Sequence, residues 1–130
     1  MITEKLYTDT ENYDSTVKRA SELLKMGKTV AIPTETVYGL AASAYDDNAI
    51  KKVFEAKGRP QDNPLIVHIA NMDMLSEIAK NIPDKAIECA EKFWPGPFTM
   101  ILERTDKTAP CVSAGLNTVA VRMPSHKTAL

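Results

Sequence analysis

This sequence has little cysteine, little net charge and no long apolar run, and each shortage excludes a class of protein. Its two cysteines, Cys89 and Cys111, are far apart and have no metal-ligand spacing, so reducing, cytoplasmic surroundings are predicted. No stretch approaches the roughly 18 apolar residues that a membrane-spanning helix requires. The first residues lack a basic segment followed by an apolar core, so no signal peptide is predicted.

The charge balance argues against one class of function, and the absence of two common phosphate-binding motifs argues against two others. The net charge is −1, whereas a strong, non-specific nucleic-acid binder is usually clearly basic. Neither a Gly-x-x-x-x-Gly-Lys-Ser/Thr loop nor a Gly-x-Gly-x-x-Gly fingerprint occurs. The adjacent Asp46 and Asp47 are predicted to cap a helix rather than to bind magnesium, and no metal site is predicted. With 130 residues, the chain is expected to form one domain.

Apolar periodicity predicts strands that alternate with helices, which is typical of an α/β fold whose sheet is at least partly parallel. The span from Tyr45 to Leu65 could form one right-handed crossover with the strand before it. Helices are predicted at Asn12–Lys25, between Asp46 and Gly58, at Asn71–Ala79 and from Pro83 to about Phe93, and strands at Thr29–Ile32, Leu65–Ile69, Phe98–Leu102 and Thr118–Val121.

Two polar segments adjoin predicted strands, which is where an open α/β sheet places its ligand site. The first is Pro33–Leu40, which contains Thr34, Glu35, Thr36 and Tyr38. These side chains are either turn and strand-end residues or the lining of a pocket for a small hydroxy amino acid. If the backbone is extended, Thr36 and Tyr38 point to the same side.

The second segment, Lys57–His68, begins with two cations. Lys57 and Arg59 either interact with the macrodipole of the preceding helix, for ~0.3–1 kcal/mol, or bind phosphate oxygens. Asn63 is either a turn residue or a donor to a phosphate or ribose oxygen. His68 is either a packed strand residue or a contact to an amino-acid substrate. Together, the two segments predict a site for a small polar molecule beside a polyphosphate.

Further along the chain lie one candidate ligand contact and one architectural stretch. Arg122 ends a predicted strand, and its permanent charge requires a carboxylate, a phosphate or solvent. It is therefore either a surface or ion-paired arginine or a binding residue. The stretch Trp94–Thr99 has two prolines around Gly96 and is predicted to turn the chain into a strand, with Trp94 and Phe98 in the core.

Taken together, these segments resemble the YrdC-like threonylcarbamoyl-adenylate synthases, which supply the activated intermediate for threonylcarbamoyladenosine in tRNA. Four motifs carry the resemblance, in this order: Pro33–Leu40, Lys57–His68, Phe93–Thr99 and Thr118–Pro124. The family's domain normally continues into a Ser-x-Asn motif that helps to bind the nucleotide. Because the chain ends before any such motif, we expect residues 1–130 to be a single YrdC-like domain that lacks its C-terminal part.

The resemblance implies a fold and two sets of ligand contacts. The fold is a twisted, open, mixed α/β sheet with a concave face, similar to dihydroxybutanone phosphate synthase. The residues implied to contact L-threonine are Thr36, Tyr38, His68 and Arg122. Those implied to contact ATP are Lys57, Arg59, Asn63 and Thr118, of which the first two would neutralise phosphate charge during catalysis.

The resemblance also implies a nucleotidyltransferase reaction. L-threonine, bicarbonate or CO2, and ATP with its Mg²⁺ would give threonylcarbamoyl-AMP and pyrophosphate. The partner implied downstream is the tRNA threonylcarbamoyl-transferase complex, and tRNA or RNA is a further expected partner. A missing C-terminal part would leave a sheet edge uncovered and so favour a homodimer.

Two other hypotheses remain open at this point. The chain could be a non-catalytic module that binds tRNA or double-stranded RNA through Lys51, Lys52, Lys57 and Arg59, although its charge argues against this. It could also be an inactive, truncated synthase domain. Threonine-dependent release of pyrophosphate from ATP would distinguish the synthase from both.

Overall fold

The protein, seen in a computed structural model, is described here for residues 2–130. Its helices are α1 (Tyr13–Lys25), α2 (Asp47–Lys57), α3 (Met72–Ile78) and α4 (Asp84–Phe93), with a 3-10 helix at Pro110–Ser113. Its strands are β1 (Val30–Ile32), β2 (Gly39–Ala41), β3 (Ile66–His68), β4 (Ala79–Lys80), β5 (Met100–Arg104) and β6 (Thr118–Arg122). Every predicted helix and strand is present with small shifts at its ends, whereas the short strands β2 and β4 were not predicted.

The strands form two separate sheets. The larger sheet has the order β3-β6-β5-β4, in which β3 and β6 are parallel and the other neighbours are antiparallel. The expected α/β fold with a mixed sheet is therefore confirmed. The predicted crossover is wrong, because β2 turns back to pair with β1 in a two-stranded antiparallel sheet. The strand after α2 pairs instead with β6, which comes much later in the chain.

The hydrophobic core lies against one face of the larger sheet. Val67, Val119 and Val121 alternate with more exposed neighbours along β3 and β6, and each is at most 7% exposed. Helices α2, α3 and α4 contribute buried apolar side chains to the same cluster. Trp94 is buried and Phe98 packs against this cluster, which confirms their predicted place in the core.

The opposite face of the larger sheet is open to solvent at its centre. Ile66 of β3 and Ile101 of β5 flank Ala120 of β6 in register, and they are 40% and 72% exposed. Side chains of β6 that share this face, Thr118 and Arg122, are half-buried. Ligands can therefore reach this face, which is the one that carries the candidate site.

Helix α2 leads into this site, and its ends have strong local signals. Asp46 is the N-cap, and its Oδ1 accepts hydrogen bonds from the backbone N–H groups of Asn48 and Ala49 at 2.9 and 3.2 Å. At the other end, Gly58 adopts a left-handed conformation with φ +59°, which favours glycine because it lacks a Cβ atom. These ends place Lys57 and Arg59 on either side of a fixed turn.

We expect Asp46→Ala to lower the free energy of unfolding by about 1 kcal/mol, because two backbone donors of α2 lose their side-chain acceptor. Urea unfolding followed by circular dichroism measures the change. Asp106→Ala, in an exposed loop, is the control and should alter stability by less than about 0.5 kcal/mol. Equal effects of the two substitutions would contradict the capping role of Asp46.

Candidate functional site

His68 and Arg122 lie side by side at the carboxyl ends of two parallel strands. The β3–β6 register pairs them directly, so their side chains leave the sheet on the same face. Both are half-buried. The carboxyl ends of parallel strands are the usual position of ligand sites in open α/β sheets. The structure thus brings together two of the residues that the resemblance assigns to L-threonine.

Thr99 orients the guanidinium group of Arg122. The Arg122 Nε donates a hydrogen bond to the Thr99 Oγ1 at 3.0 Å. Continuing the β5–β6 register by one residue places Thr99 opposite Arg122. Within residues 2–130, neither Nη group of Arg122 has a hydrogen-bond partner, so both could bind an anionic ligand as a fork. Sequence reasoning missed this residue because Thr99 was assigned to an architectural stretch; only the strand register identifies it.

The surroundings of His68 favour its neutral form. Burial lowers the pKa of His68 below its ordinary value, and the positive charge of Arg122 also lowers it. The Ile66 carbonyl and the Glu35 carboxylate act in the opposite direction on this pKa. The Ile66 carbonyl oxygen lies 3.4 Å from the His68 Nδ1. A tautomer with its hydrogen on Nδ1 leaves Nε2 as an acceptor for a ligand hydroxyl or amine.

The lowered pKa of His68 predicts a pH dependence of stability. The folded-state pKa of His68 is below the unfolded value of about 6.5. The free energy of unfolding that the neutral His68 contributes is therefore fully present above about pH 6.5, and it is lost as pH falls through the folded-state pKa. We therefore expect His68→Gln to lose less stability than the parent between pH 7.5 and pH 5, by at most about 1.4 kcal/mol per pH unit. Urea unfolding at several pH values tests this. His126→Gln is the histidine control, and parallel curves for parent and His68→Gln would contradict the expectation.

The connection between β1 and β2 is a closed turn rather than an extended segment. The Thr34 Oγ1 donates to the Val37 carbonyl oxygen at 2.5 Å and lies 3.1 Å from the Thr36 Oγ1. The condition under which Thr36 and Tyr38 would point to the same side, an extended backbone, is therefore not met. Both side chains are exposed, and Tyr38 is 76% exposed. The hydroxyl hydrogen bonds of Thr34 compete successfully with strand geometry here.

Glu35 differs from its neighbours in this turn. The residue is half-buried, but both of its carboxylate oxygens are buried and have no hydrogen-bond partner within residues 2–130. Its charge reaches the ring of His68. The negative charge of Glu35 therefore acts to raise the pKa of His68, against the larger effect of burial.

Of the candidate nucleotide-binding residues, Thr118 begins β6, whereas Lys57, Arg59 and Asn63 precede β3 in the chain. Lys57, Arg59 and Asn63 are all exposed in the end of α2 and the loop that follows. No hydrogen bond or ion pair involves their side chains in the described part of the chain. Thr118 begins β6 and is half-buried. The cations are therefore available to a solvent-borne anion rather than used in an internal contact.

The open face of the sheet carries members of both groups of residues. Thr118 and Arg122 are four residues apart on β6 and share the open face, which places their Cα atoms ~13 Å apart at 3.3 Å per residue. Asn63 precedes β3, whose first residue, Ile66, pairs with Ala120. Among the predicted contacts, the structure therefore places Thr118 and Arg122 towards opposite ends of β6, with His68 at the same end as Arg122.

Two of the cations proposed for RNA binding are already engaged. Lys51 Nζ lies 3.7 Å from the Asp47 Oδ2, and Lys52 Nζ donates to the Gly27 carbonyl oxygen at 3.0 Å. Only Lys57 and Arg59 of the four lack such a partner within residues 2–130. Lys51 and Lys52 therefore contribute less to a basic surface along α2 than the RNA-binding hypothesis requires.

Within residues 2–130, no group of three or more His, Cys, Asp or Glu side chains is arranged to hold a metal ion. None of the described helices combines the length and the apolar character needed to cross a membrane. Both cysteines are free thiols.

Comparison with known proteins assigns the family. The Sua5/YciO/YrdC family model, described as "Telomere recombination", matches residues 22–130. The chain belongs to this family. It is 53% identical over 114 residues to a threonylcarbamoyl-AMP synthase of Pyrococcus abyssi, covering 88% of this chain and 34% of that protein. It is 48% identical over 130 residues to the Bacillus subtilis protein of the same name, covering 99% of this chain and 36% of that protein.

Solved structures agree with the family assignment. The crystal structure of P. abyssi Sua5 complexed with L-threonine matches with a TM-score of 0.88 and 51% identity, covering 90% of this chain and 34% of that one. The structure of Escherichia coli YciO matches with a TM-score of 0.77 at 22% identity, and shows the shared fold. The chain spans about a third of the length of the curated relatives described above. The resemblance that the four sequence motifs indicated is confirmed.

Proposed function

We propose that this chain catalyses the formation of threonylcarbamoyl-AMP and pyrophosphate from L-threonine, bicarbonate or CO2, and ATP. The observation that carries the proposal is the Arg122–His68 pair, oriented by Thr99 at the carboxyl ends of β6 and β3. Relatives that share about half of its residues are named threonylcarbamoyl-AMP synthase, and one of them has been crystallised with L-threonine. Both facts support this assignment over that of a binding module.

At one end of the open face, Arg122 would hold the substrate carboxylate. Its Nη groups present two parallel donors, which match the two oxygens of a carboxylate. His68, in its neutral form, would accept a hydrogen bond from the substrate through Nε2. Thr36 and Tyr38, which are exposed in the turn between β1 and β2, would contact the substrate side chain.

At the other end, Lys57 and Arg59 would bind the phosphates of ATP, with Asn63 and Thr118 as further polar contacts. Lysine supplies a compact charge and arginine a planar fork, so together they neutralise charge that develops on the leaving pyrophosphate. Mg²⁺ would arrive with ATP as part of the substrate. The chain's own contribution is therefore positioning and electrostatic stabilisation.

The chemistry consists of two bond-forming steps. The neutral amine of threonine attacks CO2 and releases a proton as it becomes a carbamate; when bicarbonate is the donor, that proton leaves with hydroxide as water. A carbamate oxygen then attacks the α-phosphorus, and the bond from this phosphorus to the oxygen of the departing pyrophosphate breaks. This is a nucleotidyl transfer, for which the protein must hold two substrates in line.

The proposal extends to the cellular setting. The product is an activated acyl-adenylate, which a tRNA threonylcarbamoyl-transferase complex would consume. A cytoplasmic location is part of the proposal, since the two free cysteines are compatible with a reducing compartment.

Threonine-dependent pyrophosphate release from ATP in bicarbonate buffer tests the proposal, with L-serine as the control substrate. Release that requires L-threonine supports the synthase. No release from folded protein that still binds L-threonine and ATP would leave a substrate-binding domain without the activity. Salt-sensitive tRNA binding without either small ligand would instead favour the RNA-binding module.

A further inference from the structure

The loop from Trp94 to Thr99, which joins α4 to β5, contacts the end of β6 at two points. The Gly96 N–H group donates a hydrogen bond at 2.8 Å to the carbonyl oxygen of Met123, the residue that follows Arg122. The Thr99 Oγ1 accepts a hydrogen bond from the Arg122 Nε at 3.0 Å. One contact therefore holds the backbone beside Arg122, and the other holds its side chain.

Trp94 closes this loop from inside the protein. Its indole Nε1 donates a hydrogen bond to the Phe98 carbonyl oxygen at 2.7 Å, which links the first residue of the loop to the residue before Thr99. Trp94 is 8% exposed and belongs to the hydrophobic core. Because a buried donor without a partner is unfavourable, the indole N–H group holds the Phe98 carbonyl at this position.

Close packing also fixes the middle of the loop. A Cβ atom on Gly96 would lie 2.8 Å from the Phe93 carbonyl oxygen, so any larger residue would push the loop away from the end of α4. The backbone of Arg122 is held from the β3 side as well, where its carbonyl oxygen accepts from the Ile69 N–H group at 2.9 Å. The loop is thus the part of this surrounding structure that contacts the Arg122 side chain.

We propose that Trp94 is a positioning residue for Arg122: by holding the Phe98 carbonyl, it places the Thr99 hydroxyl that directs the guanidinium group. A guanidinium group binds a carboxylate best when its two parallel donors face both oxygens, so a fixed direction at Nε raises the affinity without adding a contact. The inference rests on the proposed function where it concerns affinity for L-threonine, whereas the orientation of Arg122 is a property of the chain alone.

The first measurement needs no ligand. Because the chain has a single tryptophan, expression with 3-benzothienylalanine replaces the indole N–H group by sulfur and keeps the size of the ring. Arginine Nε–H groups give separate signals in a nitrogen–proton correlation spectrum, and Arg122→Lys identifies the signal of Arg122. We expect the replacement to shift this signal and to speed its hydrogen exchange about three- to tenfold, the range for loss of one neutral hydrogen bond.

Calorimetric titration with L-threonine is the second measurement. The replacement should weaken L-threonine binding about three- to tenfold and leave ATP binding unchanged. In a Thr99→Val background it should have no further effect, because both changes act through the same contact to Arg122. Thr99→Ser keeps the hydroxyl and should bind L-threonine as the parent does. Tyr45→Phe, which removes the hydroxyl of an exposed tyrosine before α2, is the control and should change neither measurement.

An unchanged Arg122 signal in the protein without the indole N–H group would overturn the inference, whatever the chain catalyses. So would an unchanged affinity for L-threonine, or a loss that adds in full to that of Thr99→Val, since full addition would show that Trp94 only supports the fold. If the benzothienylalanine protein does not fold, Trp94→Phe removes the same donor and gives the same measurements. Failure of the parent to bind L-threonine would remove the proposed function, and the Arg122 signal alone would then decide the inference.

Discussion

Arg122→Ala should raise the L-threonine concentration needed for half-maximal pyrophosphate release by about 100-fold, with little change in the ATP requirement. The substitution removes both Nη donors from the end of the sheet and leaves the Thr99 hydroxyl without its partner. The substrate carboxylate would then lose its two charge-assisted hydrogen bonds. Initial rates measured over a matrix of L-threonine and ATP concentrations separate the two requirements.

Two further variants make this result specific. Arg122→Lys keeps the charge but not the planar fork, so we expect it to recover only part of the loss. Arg19→Ala removes an exposed arginine that pairs with Glu4 at 3.1 Å, and it should leave both substrate requirements unchanged. If Arg122→Ala and the parent depended equally on L-threonine, the assignment of Arg122 to the substrate carboxylate would be wrong.

Arg59→Ala should lower kcat/KM for ATP by about 10²- to 10³-fold, the loss expected for one preorganised group that stabilises developing charge. Arg59 is exposed and has no ion-pair partner within residues 2–130, so the substitution should scarcely alter stability. The affinity for L-threonine should also be preserved, because Arg59 precedes β3 whereas His68 ends it. Pyrophosphate release at saturating L-threonine and variable ATP measures the effect.

Lys51→Ala is the matched control for Arg59→Ala. Lys51 is a cation of α2 that lies 3.7 Å from the Asp47 carboxylate, and ATP turnover should not depend on it. Equal losses in both variants, accompanied by weaker tRNA binding, would point to a general basic surface and to the RNA-binding hypothesis. Unchanged ATP kinetics in Arg59→Ala would remove this arginine from the nucleotide site.

Local chemistry explains why the elements were predictable. Three local signals act within α2, and the structure has each of them: the N-cap Asp46, the apolar stripe that includes Ile50 and Phe54, and the C-terminal Gly58. The β-branched runs around Val30 and Val119 likewise became strands, because their side chains fit a pleated surface whatever their partner strand. The very short strands β2 and β4 had too few residues to show a period.

The sequence by itself determined the class of fold, the family and the residue types of the candidate site, because caps, stops, strand propensity and motif order are properties of neighbouring residues. Only the tertiary structure decided which strands pair, since pairing depends on contacts between distant segments. That pairing places His68 beside Arg122 and brings Thr99 to its guanidinium group. Burial of the Glu35 carboxylate is likewise a tertiary property, because it depends on what the turn after β1 packs against rather than on the turn residues alone.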